Sequence, residues 1–218
     1  LNTSAYFIEK NELFLIDCGE DIFKEILKQN LLDNINKLNV LITHTHSDHI
    51  GSLSNLILYT YYRIKSKVNI LCGKDNKDII DALLTLTGCT KDMYELIDEK
   101  EYNNIYETFN SIQFISTYHS DYIPCYSVLF NTKNGIVFYT GDTKETKYIT
   151  GLLKTNNVDK IYTDVTNDKL SSNVHIHIDE LKEKIDKKDR NKIYCMHFNN
   201  SNCIKEVQEL GFNIVQKK

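Results

Sequence analysis

The sequence has no tryptophan and only one proline among its 218 residues, and no stretch rich in proline, serine or glycine divides it. Without such a linker, the length suits one large domain with a substantial core, so we expect residues 1–218 to form a single domain. The chain begins with Leu1 rather than methionine. We therefore expect that a preceding segment is missing.

Three other absences narrow the class of function. The formal net charge is -4, so nothing attracts the chain to a polyanion and nucleic acid is not favoured as a partner. No apolar run is long enough to span a membrane and no signal peptide opens the chain, so we expect no membrane partner and a cytoplasmic location. The six cysteines have no CxxC spacing, which favours reduced thiols over disulfides or a thiolate zinc site.

Short apolar runs alternate with helical patterns along the chain. Residues 4–17 predict a hairpin that turns at Lys10-Asn11, and residues 127–140 predict a second hairpin. Strand and helix patterns alternate elsewhere and predict βα units, whereas residues 87–110 look irregular. Hairpins and βα units together predict an α/β protein with two mixed β-sheets flanked by helices.

The densest group of metal-binding side chains lies in LITHTHSDHIG, which starts at Leu41. His44 and His46 are two residues apart after a predicted strand, so an extended backbone points them to the same side. Asp48 and His49 fall where the chain turns into the next helix and can bind at a second point. Imidazoles with a carboxylate suit zinc, or manganese and iron where carboxylates dominate. A lone histidine is usually structural, but this spacing indicates two metal positions.

Three further candidates follow predicted strands, and they are His119, Asp142 and His197. Loops that follow strands converge on one edge of a sheet, where open sites form. A structural zinc site would instead have four ligands in compact spacing. The spread of these ligands along the chain therefore indicates a catalytic metal site.

The pattern His-x-His-x-Asp-His resembles the signature of the metallo-β-lactamase fold superfamily. That resemblance implies an αββα sandwich with two metal ions at the edge between its two sheets. It implies that the first ion is bound by His44, His46 and His119, that the second is bound by Asp48, His49 and His197, and that Asp142 bridges both. Members hydrolyse lactams, thioesters, lactones and phosphodiesters, so the signature alone leaves the substrate open.

Two other features are similar to the ribonuclease Z group: LNTSAYFIE followed by LFLIDCGE, and Asp164 followed by a His-x-(Ser/Thr)-like element in VHIHIDEL. In that group a first strand precedes Asn-Thr-Ser, so the resemblance implies that this strand is missing here. In phosphodiesterases of that group, the acidic residue and the histidine element together supply the proton for the leaving oxygen. We therefore expect His177, oriented by Asp164, to be the general acid, with His175 as the fallback and Asp48 as a further catalytic residue. The alternative for His177 is a hydrogen-bonded histidine at the start of a helix. Thioesterases and lactonases need no such acid, so its presence favours phosphodiesters.

The interval from His119 to Asp142 has room for one hairpin and not for the basic, glycine-rich arm of ribonuclease Z. The chain is most similar to arm-less, ribonuclease Z-like cyclic nucleotide phosphodiesterases, which include the anti-Pycsar enzymes of phages. This resemblance implies hydrolysis of 3′,5′-cyclic mononucleotides (cCMP, cUMP, cAMP or cGMP) with two divalent ions, zinc or alternatively manganese. It also implies a homodimer that evades or regulates cyclic-nucleotide immune signalling, in the host cytoplasm if a phage encodes it. A tRNA 3′-processing endonuclease and a thioester or lactone hydrolase are the alternatives.

Overall fold

The computed structural model describes residues 4–97, 101 and 109–215. The chain divides into two compact units, Leu1–Tyr102 and Asn103–Lys218. Each unit contains one mixed β-sheet with helices, so the predicted class of two mixed sheets flanked by helices is confirmed. The single domain stays a prediction. Within the described residues, no helix is both long enough and apolar enough to cross a membrane.

The first unit is built on a five-stranded sheet in the order β1-β2-β3-β4-β5. Its strands are β1 (Ala5–Glu9), β2 (Glu12–Ile16), β3 (Lys37–Ile42), β4 (Val68–Cys72) and β5 (Tyr94–Leu96). Its helices are α1 (Ile22–Lys28), α2 (Ser47–Ile50), α3 (Leu53–Tyr59) and α4 (Lys77–Leu86). The strands β1 and β2 form the predicted antiparallel hairpin, and Lys10 and Asn11 turn it with φ values of 49° and 63°. The remaining pairs are parallel.

The core of the first unit fixes the end of β3. Val40 and Ile42 are fully buried on one face of the strand and belong to the same core as Leu53, Leu56 and Ile57 of α3. A fully buried aliphatic side chain of this size contributes about 1.5–3 kcal/mol. Because Ile42 is the last strand residue, the histidine loop that follows starts from a rigid point.

The second unit is built on a six-stranded sheet in the order β11-β10-β9-β8-β7-β6. Its strands are β6 (Phe109–Thr117), β7 (Cys125–Thr132), β8 (Gly135–Tyr139), β9 (Lys160–Asp164), β10 (Ile193–Met196) and β11 (Asn213–Ile214). Its helices are α5 (Lys147–Lys154), α6 (Ile178–Lys184) and α7 (Ser201–Glu209). The strands β7 and β8 form the predicted second hairpin. From β8 to β11 the strands are parallel.

A buried arginine joins the ends of two helices in the second unit. The Arg190 guanidinium donates to the carbonyls of Ile185, Lys182 and Leu210, at 3.3, 2.9 and 2.7 Å. These carbonyls lie at the C-terminal ends of α6 and α7, where backbone oxygens lack partners inside the helix. The guanidinium also lies 5.0 Å from the ring centroid of Phe212. Arg190 therefore caps both helices with one side chain.

The prediction for residues 87–110 was wrong in part. Of this stretch, residues 98–100 and 102–108 lie outside the described residues, and Tyr94–Leu96 form β5 rather than irregular structure. A three-residue edge strand is too short for its alternation to be recognised in a sequence. Backbone pairing with β4 makes this segment a strand, and the local sequence pattern does not report that pairing.

Candidate metal centre

The candidate residues follow strand ends in both units. In the first unit, Asp17 comes directly after β2 and His44 comes two residues after the parallel strand β3. In the second unit, His119, Asp142, Asp164 and His197 end or follow β6, β8, β9 and β10. These four strands run in the same direction, so their C-terminal ends share one edge of the sheet. Within each unit, the candidate residues therefore lie where the C-terminal ends of the strands meet, and their role as ligands stays a prediction.

A buried carboxylate, absent from the sequence predictions, organises the histidine loop. Asp17 is fully buried, with a φ of 60° in the left-handed region that non-glycine residues rarely adopt. Its Oδ1 accepts from the Thr43 backbone N–H at 2.8 Å. Its Oδ2 accepts from the Thr43 hydroxyl at 2.9 Å and from His49 Nδ1 at 2.8 Å. The signal in the sequence was the acidic residue at the end of a strand in LIDCGE.

The hydrogen bonds of Asp17 determine which nitrogen carries the proton in two imidazoles. A carboxylate only accepts, so His49 carries its proton on Nδ1. The Thr43 hydroxyl gives its proton to Asp17 and therefore accepts from His44 Nδ1, 3.1 Å away. In both histidines the lone pair is left on Nε2, which is the form that binds a metal.

The spacing of the donor atoms in this loop fits metal ligation. His44 Nε2 lies 3.1 Å from His46 Nδ1, and His49 Nε2 lies 3.6 Å from Asp48 Oδ2. Two nitrogens at about 2.05 Å from a tetrahedral zinc ion are about 3.3 Å apart. Each pair is therefore close to the spacing that one shared ion requires. The side chains of His44 and His49 are buried, whereas Asp48 is 37% exposed.

Backbone contacts keep the loop compact. The Cys18 N–H donates to the His49 carbonyl at 2.7 Å, and the Ser52 N–H donates to the Cys18 carbonyl at 3.0 Å. The turn between α2 and α3 requires glycine, because a Cβ at Gly51 would lie 2.5 Å from the Ser47 carbonyl oxygen. The sequence HTHSDHIG thus packs a short helix against the end of β2.

In the second unit, Asp142 lies beside two histidines that were predicted as ligands. Its Oδ2 is 3.8 Å from His119 Nε2 and 3.6 Å from His197 Nε2. His119 Nδ1 donates to the Val174 carbonyl at 2.9 Å, so its Nε2 carries the lone pair that faces Asp142. His197 is held at a φ of 56°, a strained conformation of the kind that clusters at functional sites.

A second carboxylate orients a third histidine at the same edge. The Oδ2 of Asp164, which is fully buried, lies 2.8 Å from His175 Nδ1 and accepts from the Thr143 N–H at 3.2 Å. The His175 ring lies 4.7 Å from the His119 ring and 5.4 Å from the His197 ring, centroid to centroid. His119, Asp142 and His175 each place one possible ligand atom within 4.8 Å of the others.

The predicted contact between Asp164 and His177 is not formed. His177 Nδ1 accepts from the Asp179 N–H at 3.2 Å, and its buried Nε2 has no hydrogen-bond partner within the described part of the chain. The strand register explains why Asp164 contacts His175 and not His177. A parallel bridge places His177 opposite Thr166, and this places His175 opposite Asp164. The fallback, His175, occupies the place predicted for His177, which is instead a histidine at the start of a helix.

Two cysteines close to buried carboxylates of the site, Cys18 and Cys125, are neutral thiols. Burial raises the pKa of Cys18 to about 12, although a hydrogen bond with Ser52 opposes the shift. Burial, and then the charge of Asp142, raise the pKa of Cys125 to about 12. At neutral pH neither side chain is a thiolate nucleophile.

The fold and the His/Asp clusters define a metal-binding protein of metallo-β-lactamase fold, and such clusters on this fold indicate a metal-dependent hydrolase. The protein YhfI from Bacillus subtilis, which has this fold, aligns with a TM-score of 0.72 and 16% identity over 99% of this chain and 89% of that chain. A diphosphatase of the PhnP family aligns with a TM-score of 0.71 and 17% identity, covering 100% and 82% of the two chains. Human tRNase Z, short form, aligns with a TM-score of 0.65 and 17% identity, covering 100% and 90%.

The family model described as Anti-Pycsar protein Apyc1 matches residues 1–218, and the chain belongs to that family. The Anti-Pycsar protein Apyc1 of Bacillus phage BSP38 is 28% identical over 207 residues, which cover 84% of this chain and 77% of the phage protein. The protein of the same description from Bacillus phage 010DV004 is 26% identical over 208 residues, with the same coverage. The resemblance found in the sequence is confirmed.

Proposed function

We propose that the chain is a binuclear metal-dependent phosphodiesterase that opens 3′,5′-cyclic mononucleotides and so acts against cyclic-nucleotide immune signalling. The match to the Anti-Pycsar family over residues 1–218 carries the proposal. The described residues add a carboxylate-oriented histidine beside Asp142, which a phosphodiester with a poor leaving group requires.

We assign the metal ligands as the family signature implies. They are His44, His46, Asp48, His49, His119, Asp142 and His197. Five imidazoles and two carboxylates suit zinc best, with manganese as the alternative. Divalent ions bound there supply an activated water and positive charge for the phosphate oxygens. Asp17 and the Val174 carbonyl keep His49 and His119 in the tautomers that bind metal.

His175 is the proton donor of the proposal, and Asp164 orients it. Water loses one proton to the solvent and adds to phosphorus as hydroxide. The bond from phosphorus to one ring oxygen of the cyclic diester then breaks, leaving an alkoxide that needs a proton. Asp164 holds the Nδ1 proton of His175, so the Nε2 side of the ring delivers the proton to that oxygen. Asp164 also offsets the positive charge that the ring carries before the transfer. Asp48, whose side chain is 37% exposed, keeps a proposed role beside the reacting phosphate.

Two observations favour a small phosphodiester over tRNA. The hairpin of β7 and β8 takes up most of the interval in which ribonuclease Z carries its basic arm, and the net charge is -4. Phosphate contacts from lysine and arginine provide most of the affinity for a nucleic acid, and this composition does not supply an excess of them. The homodimer and the cytoplasmic location stay predictions.

The test is turnover of purified, metal-loaded protein on cCMP, cUMP, cAMP and cGMP, beside a precursor tRNA and a thioester. Asp142→Ala is the blank, because it removes the carboxylate that lies beside His119 and His197. We expect metal-dependent opening of at least one cyclic nucleotide and no cleavage of the other two substrates. If the protein turned over none of the four nucleotides but cleaved the tRNA or the thioester, the proposal would be overturned.

A further inference from the structure

We infer that His177 is a positioning residue, whose ring caps α6 and thereby holds His175 against Asp164. The inference rests on the proposed function, in which His175 is the proton donor. It gives a distinct role to the histidine of VHIHIDEL that the sequence analysis predicted as the general acid.

The contacts of His177 are those of a helix cap. Its backbone is extended, with φ -77° and ψ 141°, and its Nδ1 accepts from the Asp179 N–H at 3.2 Å. The residue before a helix usually has a short oxygen-bearing side chain that accepts from the second or third N–H of the helix. Here an imidazole nitrogen supplies that acceptor. Because Nδ1 accepts, the ring proton is on Nε2, which is buried.

The cap is coupled to His175 through three neighbouring backbone hydrogen bonds. The Ile178 N–H donates to the Thr166 carbonyl and the Thr166 N–H donates to the Ile176 carbonyl, both at 2.9 Å. These bonds hold residues 176–178 beside the extension of β9 and set the level at which His175 meets Asp164. The His175 N–H donates to the Ser171 carbonyl at 2.9 Å, which closes the loop from the other side.

The short length of α6 makes the cap important. The helix has seven residues, Ile178–Lys184, and helices this short are marginal without capping and packing. When the acceptor at residue 177 is lost, the first turn of α6 loses a fixed point, and so does the strand-like segment 176–178 that follows His175. A proton donor depends on distance and direction, so a small displacement lowers turnover without changing substrate binding.

The experiment compares His177→Asn, which keeps an acceptor at the cap, with His177→Ala, which removes it. Each variant is assayed on the cyclic nucleotide that the wild-type protein turns over best and on bis(p-nitrophenyl) phosphate, whose leaving group departs without a proton donor. We expect His177→Asn to stay within about threefold of wild type, and His177→Ala to lose at least about tenfold in kcat on the cyclic nucleotide with KM nearly unchanged. The loss on the nitrophenyl ester is expected to be smaller.

A readout without substrate separates this inference from the proposed function. The Nδ1 proton that His175 shares with Asp164 is expected to give a downfield proton NMR signal, assigned by its absence in His175→Ala. We expect the signal in wild type and His177→Asn, and its loss in His177→Ala. The control is Asn200→Ala, which removes the cap of α7, where Asn200 Oδ1 accepts from the Cys203 N–H at 2.9 Å. It is expected to lower the melting temperature but to keep the signal.

Two results would overturn the inference. If His177→Asn lost as much activity as His177→Ala, and only on the cyclic nucleotide, His177 would be the proton donor itself. If His177→Ala kept both the signal and wild-type turnover, the cap would have no positioning role. Inactivity of the wild-type protein on every phosphodiester would overturn the proposed function alone, and the NMR comparison would still decide the role of His177.

Discussion

Thr43 connects Asp17 to His44 through two hydrogen bonds. Its hydroxyl donates to the carboxylate and accepts from His44 Nδ1, while the carboxylate accepts directly from His49. One buried carboxylate thus prepares two imidazoles for metal binding. Contacts of this kind, one step removed from the metal, change metal affinity by about 10- to 100-fold when they are lost.

We expect Thr43→Val to weaken metal binding by about tenfold, because valine has the shape of threonine but neither donates nor accepts. Thr43→Ser, which keeps the hydroxyl, is the matched control and is expected to bind metal like the wild-type protein. Competition with a chromogenic chelator measures both affinities. Equal affinities of Thr43→Val and Thr43→Ser would show that the hydroxyl does not set the tautomer of His44.

The assignment of His175 as proton donor leads to a second prediction. His175→Ala is expected to reduce kcat on a cyclic nucleotide by about 10²- to 10⁴-fold, since the alkoxide then departs without a proton. The same change is expected to reduce turnover of bis(p-nitrophenyl) phosphate much less. Metal content, measured by elemental analysis, should stay at the wild-type value. A parallel loss of metal would instead make His175 a ligand, together with His119 and Asp142.

At the residue scale, sites formed by residues close along the chain could be predicted from the sequence. Contacts that depend on how the strands pair could not. The loop from His44 to His49 is predictable because four of its six consecutive residues are candidate ligands. Asp17 is 32 residues from His49, and their contact depends on the parallel register of β2 and β3, which no local pattern reports. The choice between His175 and His177 was also open, since an extended backbone points both to one side.

Arg190 connects α6 and α7 by their last carbonyls, and the dipoles of those carbonyls offset its positive charge. Backbone carbonyls at the C-terminal end of a helix carry partial negative charge, so a cation there is favourable. The three donors of one planar group fit three carbonyls at once. Lysine cannot reproduce this arrangement.

We expect Arg190→Met to reduce the free energy of unfolding by about 3 kcal/mol, because each lost hydrogen bond to a charged group is worth about 1.5–3 kcal/mol and the methionine recovers some packing. Arg63→Met, at an exposed position of the first unit, is the control and is expected to change stability by less than about 0.5 kcal/mol. Guanidinium unfolding monitored by circular dichroism measures both. A shift as small as that of the control would mean that the helix ends are satisfied without Arg190.

At the element scale, a helix or strand could be predicted where the sequence has turn residues or a clear hydrophobic period. The hairpin at Lys10-Asn11 has both signals, and it forms with the expected left-handed turn residues. The strand β5 has neither signal, because three residues do not establish a period and its order comes from pairing with β4. The cap of α6 could not be predicted, since histidine is an unusual cap and its neighbour His175 offered the same chemistry.

Across the whole molecule, all six cysteines are buried free thiols. Burial raises the pKa of Cys18, Cys72 and Cys125 to about 12 and that of Cys203 to about 11, against an ordinary value near 9. The neutral thiol is the form that the folded state favours. Its contribution to stability is therefore complete below pH 9 and is lost progressively as the pH rises from 9 toward 12.

We accordingly expect the native protein to react slowly with Ellman's reagent at pH 8. A pKa of about 12 rather than 9 lowers the thiolate fraction roughly a thousandfold, and burial limits access further. The same protein unfolded in guanidinium, without reductant, is expected to release six equivalents of thionitrobenzoate at the rate of a free thiol. Rapid reaction of one or more thiols in the native protein would show that burial does not protect them.

Each sheet is drawn from one continuous half of the chain, which bears on synthesis at the ribosome. The strands β1 to β5 lie within residues 5–96 and β6 to β11 within residues 109–214. Domains form as units during translation at about 5–20 residues per second, so the second half emerges over roughly ten seconds. During that interval Asp17 and Thr43 can already hold His44 and His49 in their metal-binding tautomers. We therefore expect two of the proposed ligands, His44 and His49, to reach their metal-binding tautomers before the second half of the chain has been translated.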